Sequence, residues 1–237
     1  MTEFLFRSDS YLRTLDAKVT DVTPEGDIVL DKTIFYANSG GQPGDSGTLS
    51  LPDGRTVTIA TTIHPEGDKT RIVHVPAEGQ QAPAIGDTVA TAIDWDRRFK
   101  LMRMHTALHL ATVVFPFPIT GAAVGEEKGR VDFDMPEVPA DMAEREARLN
   151  ELVRAALPVT DEWITDEELI ANPGLIKTMT VRPPMGQGRV RLVRIGDIDL
   201  QPCGGTHVKS TAEIGPLKIG KIEKKGAQNR RVPILFA

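Results

Sequence analysis

The sequence predicts an α+β chain, with a small β-barrel over residues 1–93 followed by an α+β domain over residues 94–237. Two patterns carry this reading. The first third is a series of short strand-like segments separated by Pro, Gly and Asp turns, the pattern of hairpins closing into a barrel. The remainder mixes helical periodicity with further strand-like runs, and such helices need a sheet on which to bury their apolar faces.

In the first part the strands are expected at Ala17–Val22, Asp27–Leu30, Thr33–Ala37, Gly47–Leu51, Thr56–Ile63, Lys69–Val75 and Thr88–Ile93. Pro24-Glu25-Gly26-Asp27, Pro52-Asp53-Gly54, Pro65-Glu66-Gly67-Asp68 and Gly86-Asp87 punctuate them, with Asp53-Gly54 and Gly67-Asp68 as hairpin tips. One turn is different. Ser39-Gly40-Gly41-Gln42-Pro43-Gly44-Asp45 carries three glycines in five positions, which exposes backbone N–H groups and admits another chain or a phosphate at close range. No Lys-Ser/Thr follows, so it is not a nucleotide-binding P-loop. His64 and His74 fall in hairpin strands and receive no functional role.

The second part begins with a helix capped by Asp94 or Asp96 and ending near Phe115-Pro116-Phe117-Pro118. Leu101, Met104, Leu108 and Ala111 form its buried stripe, with His105 and His109 beside it. Arg97, Arg98, Lys100 and Arg103 make its first half basic, giving it the charge and reach for a phosphate backbone. Gly121–Met135 reads as a loop and strand. Pro139–Leu157 is the clearest amphipathic helix, and Asp161–Ile170 is expected as a second, short one. Val190–Ile195, Asp197–Leu200, Leu217–Lys225 and Arg231–Phe236 read as strands of one sheet beneath the helices.

An apolar content of 40% with 26% charged residues is ordinary for a globular chain. No apolar run approaches a membrane span, and the opening residues lack a secretion signal. A single cysteine excludes an internal disulfide and fits a reducing compartment, so a cytoplasmic location is expected. The net charge of −5 hides an asymmetry: from Lys177 to the C-terminus there are twelve Lys or Arg against four Asp or Glu. That basic segment suits a nucleic-acid partner, or simply covers a sheet edge.

The chemistry concentrates in two fragments about a hundred residues apart. Met104-His105-Thr106-Ala107-Leu108-His109-Leu110 places two imidazoles four apart, on one helix face. Gln201-Pro202-Cys203-Gly204-Gly205-Thr206-His207-Val208 holds the only cysteine, a glycine pair and a histidine four positions after the thiol. Three of the five histidines and the sole thiol thus fall together, a donor set suited to tetrahedral Zn²⁺. A zinc peptidase fits poorly, because Thr106 stands where HExxH needs its glutamate. Since catalysis requires an open coordination position, His105, His109 and His207 are expected as ligands. Cys203 is either a fourth, displaceable ligand or a polar neighbour.

These fragments resemble the editing domain of alanyl-tRNA synthetase and its free-standing relatives, the alanyl-tRNA editing proteins of the AlaX group. Thr33-Ile34-Phe35-Tyr36-Ala37-Asn38-Ser39-Gly40-Gly41-Gln42-Pro43-Gly44-Asp45, Val193-Arg194-Ile195-Gly196-Asp197 and Glu213-Ile214-Gly215-Pro216 extend the resemblance over essentially the whole chain. It implies a second domain like the second additional domain of threonyl- and alanyl-tRNA synthetases. It further implies a zinc-dependent deacylase acting in trans on the acceptor end of tRNA(Ala) carrying serine, with glycine less secure. Gly40, Gly41 and Gln42 would then line the substrate pocket, and Arg97, Arg98 and Lys100 would contact tRNA. Thr106 and Thr206 are the hydroxyl candidates, and Glu127 is the candidate general base. Two positions depart from the family pattern: Glu127 replaces a common Gln before Lys-Gly, and Leu108 precedes the second histidine where the synthetase has Thr. Because serine is larger than alanine, discrimination must read its hydroxyl and not its size. A threonyl-type editing deacylase and a non-catalytic tRNA-binding module with structural zinc remain the alternatives.

Overall fold

The computed structural model describes residues 2–65, 68–179 and 188–237; Glu66 and Gly67 of one expected hairpin tip lie outside the described residues. The chain divides into two compact units, Met1–Phe99 and Lys100–Ala237.

The first unit contains β1 (Glu3–Phe4), β2 (Thr14–Val22), β3 (Ile28–Leu30), β4 (Lys32–Thr33), β5 (Gly47–Ser50), β6 (Thr56–Ile63), β7 (Val73–Pro76) and β8 (Thr88–Ile93). Six of these close a barrel in the order β2-β3-β7-β6-β5-β8, and β8 returns to β2 with Ala92 opposite Thr14. Alternation fills it: Val57 and Ile59 of β6 point inward between exposed threonines. They meet Val19, Leu30, Phe35, Leu49 and Val89 in one apolar cluster. The short β1 and β4 pair in parallel outside the barrel.

The strand expected at Thr33–Ala37 is reduced to Lys32–Thr33. Its next donors are taken by side chains: Phe35 N–H donates to Thr33 Oγ1 (3.0 Å) and Tyr36 N–H to Asp45 Oδ2 (2.6 Å). The glycine-rich segment then makes a two-residue turn. Ser39 and Gln42 exchange backbone hydrogen bonds of 3.1 and 2.9 Å, while Gly40 and Gly41 sit at φ 57° and 80°, the paired left-handed conformation that favours glycine.

Asp45 ends that segment and is buried against Arg98 of α1 (Trp95–Val114). Arg98 Nε lies 3.0 and 3.1 Å from the two carboxylate oxygens, and Nη2 also donates to Oδ2. Nη1 donates to Ser10 O (2.9 Å) and Nη2 to Ile34 O (2.7 Å). Arg98 is 0% exposed, which corrects its assignment to RNA contact: two backbone carbonyls and a carboxylate take up the guanidinium. His74 is likewise internal, with Nε2 2.8 Å from Thr33 Oγ1 and Nδ1 3.0 Å from Ile28 O.

The second unit holds the rest of α1, then β9 (Ile119–Ala123), β10 (Lys128–Asp134), α2 (Met142–Arg154), β11 (Val159–Thr165), α3 (Asp166–Ala171), β12 (Arg189–Ile195), β13 (Asp199–Pro202), β14 (Leu217–Ile219), β15 (Glu223–Lys224) and β16 (Asn229–Phe236). Asp94 caps α1 through Arg97 N–H at 3.2 Å. Two sheets form where one was expected: β14-β16-β10-β9, with β15 also on β16, and β11-β12-β13. The helix expected at Asp161–Ile170 is a strand as far as Thr165, because β12 pairs with it from Val159 to Thr165. Thr165 then starts α3 with a capping box to Glu168. Leu101, Met102, Met104, Ala107, Leu110 and Ala111 are all fully buried, so α1 is a central helix and not one with a single apolar stripe. Gly129 lets β10 press on it, since a Cβ there would come within 2.8 Å of Met104 Cγ. Among the described residues no helix is long and apolar enough to cross a membrane.

Two outcomes follow for the barrel. Asp45→Ala strands the Arg98 charge in the interior, and equilibrium urea unfolding should show a loss of about 3–5 kcal/mol. Burial holds the His74 imidazole down to about 4, against 6.5 in an unfolded chain. Between those values only the unfolded chain takes up the proton, so this contribution is complete above pH 6.5 and is lost as pH falls toward 4, a change of about 3 kcal/mol. The stability difference between wild type and His74→Gln should therefore shrink by that amount between pH 7 and pH 4.

Candidate metal centre

His105 and His109 project from α1, while Cys203 and His207 come from the turn that follows β13. One ligand atom from each of the four lies within 4.8 Å of all the others. Cys203 Sγ is 3.5 Å from His105 Nε2 and 3.3 Å from His207 Nε2. The ring centroids are 5.3 Å apart for His105–His109, 4.3 Å for His105–His207 and 4.6 Å for His109–His207. All three imidazoles are buried and Cys203 is half-buried.

Hydrogen bonds decide which nitrogens face inward. Thr106 Oγ1 donates its single proton to Met102 O at 2.9 Å. Its oxygen is then an acceptor for His207 Nδ1–H at 3.1 Å and for Val208 N–H at 3.3 Å. His207 is therefore held with Nδ1 protonated and the lone pair of Nε2 aimed at the cluster. His109 Nδ1–H donates to Asp199 Oδ2 at 3.2 Å, with the same consequence. Asp199 is itself braced by Lys177 Nζ and by Gln201 Nε2 at 2.8 Å. Arg191 holds the turn open, donating from Nη1 to Cys203 O (2.9 Å) and Gly205 O (2.8 Å), while its Nη2 is anchored by Asp161 at 2.7 Å.

The electrostatics match. Loss of water pushes the Cys203 thiol up, but the His105 and His207 imidazoles bring it well below its ordinary value, favouring thiolate. Burial drives His207 down to about 3, so its ring is neutral. Burial also opposes charge on His109, yet the Asp199 carboxylate and the Cys203 sulfur raise it to about 9. Capturing a cation at its Nε2 must displace that proton. Three nitrogen donors and a thiolate in this arrangement fit a borderline divalent ion such as Zn²⁺.

The other expected site residues are dispersed. Thr206 is fully buried within the Cys203–His207 turn. Glu127 stands apart from the four-residue group, with its exposed carboxylate 2.8 Å from Lys100 Nζ. That carboxylate is held in a surface ion pair and not in a water-depleted pocket. In the first unit, Arg97 Nη1 donates to Gly44 O at 2.7 Å, Gly40 and Gly41 are exposed, and Gln42 is buried. Arg103 grips Ile214 O with two donors at 2.9 and 2.7 Å, which pins the Glu213-Ile214-Gly215-Pro216 segment. Asp199, Lys177, Gln201 and Arg191 escaped the sequence reading, and the signal available for them was the charge density of the last sixty residues. Much of that basic charge is committed internally, through Lys177–Asp199, Arg191–Asp161, Arg194–Glu162 and Arg231–Asp132.

Replacing Thr106 tests the tautomer argument. In a competition titration against a chromophoric chelator, Thr106→Val should bind Zn²⁺ about 10–100-fold more weakly than wild type, and Thr106→Ser should retain affinity. Unchanged affinity in Thr106→Val would contradict the account.

Two family models match the chain: the threonyl and alanyl tRNA synthetase second additional domain over residues 190–232, and the class II (A) tRNA synthetases over residues 11–97. The chain is 38% identical to an alanyl-tRNA editing protein AlaX-M of Methanosarcina acetivorans, covering 98% of each protein. It is 36% identical to an AlaX-L of Pyrococcus horikoshii, covering 98% of this chain and 57% of that protein. An alanine–tRNA ligase of Pyrobaculum aerophilum is 38% identical over 94% of this chain and 25% of its own length. With full-length similarity at this level, and the histidine–cysteine cluster assembled from the two fragments that suggested it, the chain belongs to the alanyl-tRNA editing protein family.

Proposed function

We propose that this protein is a trans-editing deacylase that hydrolyses the ester between a wrongly attached amino acid, foremost serine, and the terminal ribose of tRNA(Ala). The observation that carries this reading is the convergence of three inward-facing imidazole nitrogens and one thiol within 4.8 Å. Family membership supplies the substrate class.

His105, His109 and His207 would hold Zn²⁺, with Cys203 as the fourth donor. The bound ion would polarise an ester carbonyl and lower the pKa of a water. The remaining work falls to the protein. Thr106 and Asp199 keep the Nδ1 protons of His207 and His109 away from the cluster, so two nitrogens stay available as donors. Arg191 fixes the carbonyls of Cys203 and Gly205, which holds the turn carrying two of the four donors. Thr106 Oγ1 is already engaged by Met102, His207 and Val208, so Thr206, next to His207 in the chain, is the hydroxyl proposed to meet a serine side chain. Gly40 and Gly41, with Arg97 and Lys100, remain the proposed contacts to the tRNA end; the buried Gln42 is withdrawn from that set, as Arg98 is.

Selectivity follows from polarity. A site that bonds the serine hydroxyl leaves its own polar groups unpaired over alanine, a penalty of about 10⁴–10⁵ in rate. Glycine has no hydroxyl and leaves the same groups unpaired, so its ester should be the poorer substrate. The half-buried Cys203 decides between catalytic and purely structural metal. A permanent fourth ligand closes the site, whereas a displaceable one leaves a position for chemistry.

The experiment is a deacylation assay on tRNA(Ala) loaded with serine, glycine or alanine, with and without a zinc chelator. Rapid chelator-sensitive loss of serine and near-complete sparing of alanine are expected. Equal rates on serine and alanine, or tRNA binding without turnover, would contradict the reading.

A further inference from the structure

Strand β11 is the edge of its three-stranded sheet, and it carries an exposed tryptophan that nothing above employs. Trp163 is 42% exposed, an unusual position for so large an apolar side chain. Its register shows where it stands. Trp163 lies directly opposite Arg191 of β12, and Cys203 N–H donates to Arg191 O at 3.1 Å. Cys203, Arg191 and Trp163 therefore form a row across the sheet.

The row lies on the face that carries the histidine cluster. Asp199 and Gln201 of β13 reach His109 and Thr112 of α1 from that face. Gln201 is opposite Val193, two residues from Arg191 on β12, so alternation puts Arg191 and its partner Trp163 on the same side. Next along β12 on this face comes Arg189, opposite Thr165 and exposed to solvent. The indole thus stands two strand spacings from Cys203, about 10 Å at the usual separation between strands, with Arg189 on the strand between and two residues along.

An exposed aromatic face beside an arginine is how proteins hold an unpaired nucleotide, with the ring stacking on the base and the cation meeting the phosphate. The span from Cys203 to Trp163 is comparable to the length of a nucleoside carrying an acyl group on its ribose. We propose that Trp163 is a stacking platform for the terminal adenine of the tRNA acceptor end, and that Arg189 receives the phosphate on its 5′ side. This rests on the deacylase reading and deepens it: the base sits on the edge strand while the ester reaches the cluster. Trp163 is a positioning residue here and takes no part in bond breaking.

The test uses two independent readouts on the full chain. In a Trp95→Phe background Trp163 is the sole tryptophan, and its fluorescence is titrated with a short oligoribonucleotide ending in CCA and with one ending in CC. Quenching by the first at a concentration at least about tenfold lower than by the second is expected. In steady-state deacylation, Trp163→Ala should raise KM about tenfold with kcat little changed, and Trp163→Phe should restore most of the loss. Equal quenching by both oligonucleotides, or an unaltered KM in Trp163→Ala, would overturn the platform; in the second case continued turnover leaves the deacylase reading intact. A wild-type protein without deacylase activity would instead overturn that reading, and the oligonucleotide titration would then decide the platform alone.

Discussion

One hydroxyl joins the two halves of the candidate metal centre. Thr106 on α1 gives its proton to the preceding helical turn and receives His207 Nδ1–H and Val208 N–H on its oxygen. Those contacts span 101 and 102 positions of chain. Closing so long a loop costs little more than closing one of half the length. The harder requirement is aligning four side chains to within a few tenths of an ångström, and the sheet β11-β12-β13 with Arg191 supplies it. Thr106 then sets the chemical state, because a hydroxyl that has already spent its proton can only accept. The same logic runs through Asp199 on the other flank: a carboxylate receives the His109 proton, and Lys177 and Gln201 hold the carboxylate.

The barrel unit uses a comparable device for a structural end. Asp45 receives Arg98 and also the backbone N–H of Tyr36, so one buried carboxylate ends the glycine-rich segment and locks the start of α1. Arg98 in turn satisfies two carbonyls. Breaking either partner leaves a charge in the interior, which costs far more than the pair contributes. A charge-bearing motif beside the glycine-rich segment therefore turns out to be architecture.

What the sequence made legible divides along physical lines. Histidine and cysteine are scarce in this chain, so their coincidence in two short fragments carried real information about the cluster. The barrel was readable because its short strand-like runs are closely spaced and bounded by turn residues. Arg98 was misread because an arginine on a helix looks like solvated charge unless its buried carboxylate, 53 positions away, is known. Asp199, Gln201 and Arg191 look like ordinary strand polarity until register brings them onto the face that carries the cluster. The segment from Asp161 to Ile170 reads as one short helix, and only pairing with β12 makes its first half a strand. Tyr36 illustrates the reverse: its strand-like surroundings are overridden by a side chain that takes its backbone donor.

The central claim is that His105, His109, His207 and Cys203 bind one ion together. Loading the protein with Co²⁺ and measuring the visible and near-ultraviolet spectrum test this most directly. A four-coordinate site with three imidazoles and a thiolate should give intense ligand-field bands together with a thiolate-to-cobalt charge-transfer band, and the latter should vanish in Cys203→Ser. Weak octahedral bands without charge transfer in the wild-type protein would contradict the account.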